Sequence, residues 1–329
     1  MTGKRQPMDL SIIIVNWNSA DYLRACLASI FRETRELTFE VIVIDNASND
    51  GSEEIVRTEF PEVIFIQSAE NLGFARANNL GFAHSTGECI LFLNPDTEIL
   101  GNSLATMVAC LRANETTGAA GPTVLNTDGS LQVSIQSFPT ITNQVLDFEV
   151  LRRVFPRARI WGTRALYGGE GNAADVDVIS GACFMVKRSV FQRVGLFSEE
   201  YFMYSDDFEL SYKIKRAGFS IRYARDGRVV HHGGKSSEKR EDHFSEVLQR
   251  KSLAQFLRQT RGPLYSFAYR FAMAGVAIIR MGLVVCLAAL GKKDFNGKSF
   301  HFVLQKWMKI LGWTLGFEGW PAASARTTQ

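Results

Sequence analysis

Disulfide chemistry is missing from this chain: its five cysteines, Cys26, Cys89, Cys110, Cys183 and Cys286, are odd in number, widely spaced and form no C-x-x-C pair. That pattern excludes a disulfide framework and a zinc knuckle and fits a reducing compartment. No G-x-G-x-x-G follows a strand-like run, which argues against a dinucleotide-binding dehydrogenase. The first apolar run, Leu10 to Val15, is only six residues long, too short for a signal-peptide core, so a cytoplasmic start is expected. Internal repeats and low-complexity tracts are also lacking.

An excess of one charge is absent overall, since the net charge is only +3. The distribution is uneven, however: residues 1–234 carry 22 Lys and Arg against 28 Asp and Glu, while residues 235–329 carry 15 against 6. A basic segment can face nucleic acid or anionic lipid. Here the same segment is rich in Leu, Val, Phe and Trp, which favours an anionic membrane surface and no nucleic acid.

What the chain has is a rhythm. Leu10–Val15, Glu40–Asp45, Val63–Ile66 and Cys89–Leu93 are short apolar runs rich in β-branched residues, the pattern of strands buried on both faces. Between them lie stretches of helical spacing, such as Tyr22, Leu23, Cys26, Leu27 and Ile30. The alternation predicts βαβ units and an α/β fold with a parallel sheet covered by helices. Ligands of such sheets bind at the carboxyl ends of the strands. Those ends carry Asn16-Trp17-Asn18, the turn from Asp45 to Ser52, and Asn94-Pro95-Asp96. Residues 118–177 show turn residues and no strong period and read as acceptor-side loops. A further buried strand is expected over Val176–Val186, then a helix opening at Asp206-Asp207 and closing at Gly218.

A carboxylate at Asp45 can accept hydrogen bonds from a base or a ribose, although Asn, Ser and Asp also precede helices for local reasons. Asp96 can hold a divalent cation against a diphosphate, because Mg²⁺ and Mn²⁺ take oxygen ligands and recruit only one or two protein carboxylates beside substrate phosphates. An isolated N-P-D is more often a proline turn with a capping Asp than a metal site. Asp206 and Asp207 complement a helix dipole wherever they occur, but here they follow the aromatic run Tyr201-Phe202-Met203-Tyr204, which can line a sugar pocket. His231 closes a later strand-like run, and imidazole is a competent ligand for Mn²⁺.

Taken together, N-W-N, I-D-N-A-S-N-D-G-S, N-L-G-F-A-R-A-N-N, L-F-L-N-P-D, F-M-Y-S-D-D-F-E-L and V-V-H-H-G-G resemble, in order and spacing, the family 2 glycosyltransferases, in particular their rhamnosyltransferase-like branch. The resemblance spans about residues 10–235. It implies a GT-A fold, Rossmann-like with a mostly parallel central sheet, and a metal-dependent, inverting hexosyltransferase of cell-envelope polysaccharide or lipid-linked glycan biosynthesis. Carried over by residue, it places Asp45 at the nucleotide base. Asn71, Gly73, Arg76 and Asn79 fall beside the donor, Asp96 and His231 at the metal (Mg²⁺ or Mn²⁺), and Asp207 at the general-base position. Asp206 is a neighbour that shapes the site, and Asn16, Asn18 and Asn94 are donor-side candidates at the strand ends. Asn94 stands where many members have Asp, and Lys213 where relatives often have Arg, a point charge in place of a bidentate donor. The branch makes dTDP-rhamnose the first donor to test and a glycan or polyprenyl-linked molecule the acceptor. A sugar-nucleotidyltransferase would want a glycine-rich loop where Asn16-Trp17-Asn18-Ser19 stands, and a silent scaffold would not need Asp96, Asp207 and His231 together.

The expected domains are a catalytic region over 1–240, with a nucleotide half over about 10–115 and an acceptor half over about 116–240, and a helical tail over 241–329. Phe271–Leu290 is nominally long enough to span a bilayer, but Arg280 near its middle would cost about 2.5–3.5 kcal/mol there. A helix lying in the interface is therefore expected, peripheral to the inner face of the plasma membrane. Trp307, Trp313, Phe317 and Trp320, with Lys306 and Lys309, read as interfacial anchors.

Overall fold

The structure, a computed structural model, describes residues 8–146, 149–168, 171–233, 243–292, 294 and 299–317. Trp320, Gly234 and the expected boundary at 240/241 lie outside the described residues. The chain divides into two compact units, and both are discontinuous in sequence. The first comprises Met1–Phe138, Phe155–Phe202 and Asp206–Glu238; the second comprises Pro139–Val154, Met203–Ser205 and Lys239–Gln329.

The first unit is built on strands β1 (Leu10–Asn16), β2 (Phe39–Asp45), β3 (Ile64–Gln67) and β4 (Cys89–Leu93), with helices α1 (Ala20–Glu33), α2 (Ser52–Glu59) and α3 (Gly73–Ala83) between them. β3, β2, β1 and β4 lie side by side and parallel. Their apolar runs split by the two-residue period of a strand. Leu10, Ile12 and Ile14 join Leu23, Cys26, Leu27 and Ile30 of α1 on one face of the sheet. Ile13, Ile42, Ile44 and Phe92 join Ala75, Ala77 and Phe82 of α3 on the other.

Beyond β4 the sheet turns mixed. β5 (Thr97–Leu100), α4 (Ser103–Arg112), β6 (Thr117–Leu125), β7 (Ile135–Gln136), α5 (Ile141–Val145), α6 (Glu149–Val154), β8 (Ala173–Asp175), β9 (Val178–Ile179), β10 (Cys183–Lys187), α7 (Arg188–Arg193), α8 (Asp206–Arg216) and β11 (Ser220–His231) follow in sequence. The sheet order is β3-β2-β1-β4-β10-β6-β11-β5. β10 runs antiparallel to both β4 and β6, and β11 runs parallel to β6 but antiparallel to β5 and β8.

Two sequence expectations need correction here. β6 is a nine-residue buried strand inside the region expected to hold only loops and short elements. Its sequence, TGAAGPTVL, lacks the β-branched signal because neighbours press against it: a Cβ on Gly121 would stand 2.2 Å from Ile179 Cγ2. The single strand expected over Val176–Val186 is interrupted at Ser180-Gly181-Ala182, leaving β9 paired with β7 and β10 in the main sheet. Helix α8 starts at Asp206, and Gly218 follows it at φ +89°, the left-handed conformation that glycine supplies at a helix end.

The described residues of the second unit include α5, α6 and three longer helices, α9 (Phe244–Arg261), α10 (Pro263–Ala289) and α11 (Phe300–Thr314). Pro263 opens α10 where a missing N–H costs nothing. Ser266, Tyr269, Met273, Ala277 and Val284 form its buried stripe. Arg270 donates to Trp313 O at 2.7 Å and lies over the Trp313 ring, while Arg280 lies over Trp307. Trp313 is buried and Trp307 is sandwiched by the guanidinium groups of Arg250 and Arg280. These two tryptophans pack the bundle, contrary to their reading as surface anchors; Phe317 is exposed.

Candidate active site

The carboxyl ends of β1 and β2 bring Asn16 and Asp45 into register as partners. Asp45 is buried, and its carboxylate is held from three sides. Asn16 Nδ2 donates to Oδ1 at 2.7 Å, and Ser48 N and Gln67 Nε2 donate to Oδ2, each at 2.8 Å. The Asn16 amide also reaches Ser52 Oγ at 2.9 Å, so this buried asparagine organises the turn from within. Asn18, at φ +49°, accepts from Asn49 N and bridges the β1 and β2 loops. Asp45, Ser48, Gly51, Ser52, Glu53, Glu54 and Gln67 line a cleft of ≈ 470 Å³. Its floor is an acceptor-rich carboxylate pre-oriented by uncharged donors, suited to the imide or amine edge of a nucleobase or to ribose hydroxyls.

The loop before α3 is shaped by Asn71, whose Oδ1 accepts from Gly73 N at 2.9 Å. Gly73 has φ +75°, and a Cβ there would fall 2.4 Å from Phe202 O. Only glycine fits. Arg76 is half exposed, with Glu70 and Glu199 each at 4.0 Å. Asn79 is occupied elsewhere: it donates to Phe197 O and accepts from Phe197 N, clasping the loop before Tyr201. Tyr201 itself is buried in the core, and Phe202 O accepts from Phe74 N at 2.9 Å.

Asn94 follows β4, and the next two residues turn Asp96 towards the end of β11. Asp96 Oδ1 lies 3.2 Å from His231 Nε2, and both side chains are largely buried. Asn94 Nδ2 is 3.4 Å from the same nitrogen. The other ring nitrogen, Nδ1, is 2.7 Å from Gln132 Oε1, an acceptor. In the neutral ring the proton therefore sits on Nδ1, and Nε2 presents a lone pair to a carboxylate oxygen. A cation placed between those two atoms would satisfy both. Two ligands about 2.1 Å from an octahedral ion and at right angles would themselves be about 3 Å apart, so this oxygen and nitrogen fit Mg²⁺ or Mn²⁺. Among the described residues no third His, Cys, Asp or Glu joins them, so a bound ion would depend on ligands from outside the protein.

Asp207 stands in the first turn of α8. Its Oδ1 accepts from Phe208 N at 2.8 Å and its Oδ2 from Gly181 N at 3.2 Å. Burial pushes its carboxyl above the ordinary carboxylate range, and the two N–H groups pull the other way without overcoming it. Asp206 beside it is buried. Lys213, one turn on, pairs with Glu209 at 3.1 Å and donates to Leu196 O, fastening the helix to the preceding loop.

One hydrogen-bonded path joins these parts. Gly181 N reaches Asp207, Ala182 O accepts from Asn94 N at 3.0 Å, and Asn94 touches His231, which faces Asp96. The break between β9 and β10 is thus what lets Gly181 and Ala182 link Asp207 to the Asp96–His231 pair. Gln132, Gly181 and Gln67 carry no signal in the sequence, being ordinary residues whose partners are remote along the chain.

The model of the family described as Glycosyl transferase family 2 matches residues 11–195. The chain is 28% identical over 288 residues to the N-acetylglucosaminyl-diphospho-decaprenol L-rhamnosyltransferase of Mycobacterium tuberculosis (strain H37Rv), covering 84% of this chain and 92% of that one. It is 24% identical over 231 residues to the rhamnosyltransferase WbbL of Escherichia coli (strain K12), covering 67% and 82%. Among solved structures it is similar to the mannosyltransferase PcManGT from Pyrobaculum calidifontis in complex with GDP-Man and Mn²⁺. The TM-score there is 0.58 at 18% identity, with 95% and 88% of the two chains covered. With the family match spanning more than half of the chain and the fold agreeing over nearly all of it, this protein belongs to glycosyl transferase family 2, built on a GT-A fold.

Proposed function

We propose that the protein transfers a sugar, with L-rhamnose as the first candidate, from a nucleotide-diphosphate donor to a hydroxyl of a lipid-linked glycan, inverting the anomeric centre, at an anionic membrane surface. The observation that carries this reading is the continuous run from Asp207 through Gly181-Ala182 and Asn94 to the Asp96–His231 pair. It brings Asp207 and the Asp96–His231 pair to one rim of the sheet whose neighbouring strands form the Asp45 cleft, which supports reading them as proton acceptor and cation ligands. The named rhamnosyltransferases among the relatives support the sugar, and the Mn²⁺ held by a structural neighbour supports the metal.

In this mechanism Asp45, fixed by Asn16, Ser48 and Gln67, accepts from the base or ribose and sets the donor's register. Asp96 and His231 Nε2 would hold Mg²⁺ or Mn²⁺. The bound cation supplies charge neutralisation for the departing nucleotide diphosphate. Asp207 accepts the proton of the acceptor hydroxyl as that oxygen attacks the anomeric carbon from the face opposite the leaving group. Its raised proton affinity, from burial, makes it a stronger base than a solvated carboxylate.

The test is transfer by the full-length chain from dTDP-rhamnose, UDP-N-acetylglucosamine and GDP-mannose to a short-chain polyprenyl-diphosphate-N-acetylglucosamine, followed by mass spectrometry, with and without EDTA. Rhamnosyl transfer that stops in chelator and returns with Mn²⁺ or Mg²⁺ is expected. Undiminished transfer in chelator would remove the metal from the reading, and transfer only from another donor would remove rhamnose.

A further inference from the structure

β11 ends at His231 and His232 follows it, and a single loop contacts both. This loop, residues 126–132, closes on itself through Asn126 N to Ser130 O at 2.8 Å and turns at Gly129, φ +80°. From it Thr127 Oγ1 meets His232 Nδ1 at 3.0 Å, and Gln132 Oε1 meets His231 Nδ1 at 2.7 Å. His232 Nε2 is spent on Glu98 at 2.8 Å, so the second histidine is a structural clasp. His231 keeps Nε2 for Asp96.

The orientation of the Gln132 amide follows from its other end. Its Nε2 donates to Asn126 Oδ1 at 2.8 Å and to the main-chain oxygen of His231 at 3.3 Å. Both partners only accept, so Nε2 must face them, and Oε1 must face the imidazole. An oxygen in that place can accept but never donate, and the proton of a neutral His231 is thereby held on Nδ1. Without that acceptor the proton would move to Nε2, where Asp96 Oδ1 at 3.2 Å attracts it and where it would block a cation.

We infer that Gln132 is a positioning residue that fixes the tautomer and direction of His231, so that Nε2 and Asp96 together receive a divalent cation. The role rests on the metal-dependent reading given above, and it assigns Gln132 a function through His231, with no contact to the reacting atoms. Outer-shell partners of metal-bound histidines typically account for 10–100-fold in metal affinity.

The experiment titrates the full-length protein with Mn²⁺ alone, following free Mn²⁺ by electron paramagnetic resonance. It also reads the His231 tautomer from ¹⁵N imidazole shifts of the metal-free chain at a pH where the ring is neutral. Gln132→Met and Gln132→Leu, which lose the acceptor, are expected to bind Mn²⁺ 10–100-fold more weakly and to move His231 towards the Nε2–H form. Gln132→Glu keeps an oxygen against Nδ1 and is expected to stay within a few-fold of the parent with the tautomer unchanged. Parent-like Mn²⁺ affinity in the Met and Leu variants overturns the role of Gln132 and leaves the metal site standing. Equal weakening in all three variants also overturns it, since loop packing would then be the cause. A parent chain that takes up no Mn²⁺, either alone or with a nucleoside diphosphate added, overturns the cation reading and this role with it.

Discussion

At the scale of single residues, the proposed mechanism turns on how Asp207 is held. Its carboxylate accepts two main-chain N–H groups, which fix its direction, while burial raises its proton affinity. Asp207→Asn keeps the size and one acceptor but cannot take a proton, so turnover is expected to fall by about 10²–10⁴-fold with little change in donor binding. The sign of the pH effect follows from the same shift. Only the ionised carboxylate accepts a proton, so kcat/KM falls as pH drops through the Asp207 pKa. Because burial has raised that pKa, the acid limb should lie above about 3.9, the value of an unperturbed aspartate. Steady-state kinetics against pH, paired with calorimetric donor binding, decides: near-parental turnover in the asparagine variant would take the base role from Asp207.

At the scale of elements, β6 illustrates why part of the fold was not legible. β1, β2 and β4 announce themselves through continuous β-branched runs because helices cover both faces. β6 sits as deep, between β10 and β11, yet its Gly118, Ala119, Ala120 and Gly121 leave room for neighbours instead of filling space. Gly118 is pressed by Phe219, Ile214 and Val190, and Gly121 by Ile179. Gly121→Ala is therefore expected to destabilise the chain by about 1–3 kcal/mol, the usual cost of overpacking, in urea unfolding followed by circular dichroism. Ile179→Ala in the same background should recover part of the loss, giving a coupling that additive effects would lack. Strictly additive effects would show that the contact is not what sets the composition of β6. The same logic separates the site residues. Asp45, Asn94, Asp96 and His231 stand out in the sequence as candidates because strand ends are where ligands bind in such sheets. Gln132 does not, because its partner His231 is 99 residues away and a glutamine in a loop signals nothing alone. Asn79 carried a motif position, yet its amide is taken by the main chain of Phe197, a contact that only the folded loop discloses.

At the scale of the whole molecule, the acidic first two-thirds and the basic last third of the sequence contain different kinds of surface. Helix α10 is 27 residues long, with a mean hydropathy of 2.2 over its most apolar window, enough to cross a membrane by length and composition. Its two arginines nevertheless lie along the packed stripe, engaged by Trp313 and Trp307 of α11, while Leu264, Phe267, Phe271, Ile278, Ile279 and Val285 are exposed. A spanning helix would have to carry those guanidinium groups into hydrocarbon at about 2.5–3.5 kcal/mol for the one nearest the centre. A helix lying in the interface would bury its apolar residues in lipid and keep both charges against the bundle. Phe267→Glu, Phe271→Glu and Ile279→Glu, made together in the full-length chain, replace exposed side chains and leave the packed stripe untouched. They are expected to lower flotation with phosphatidylglycerol-containing vesicles at least tenfold while leaving the melting temperature near that of the parent. Parental binding should also weaken as salt rises, since part of the attraction comes from basic residues and anionic headgroups. Equal flotation of the parent and the triple variant would take the membrane contact away from this face of α10.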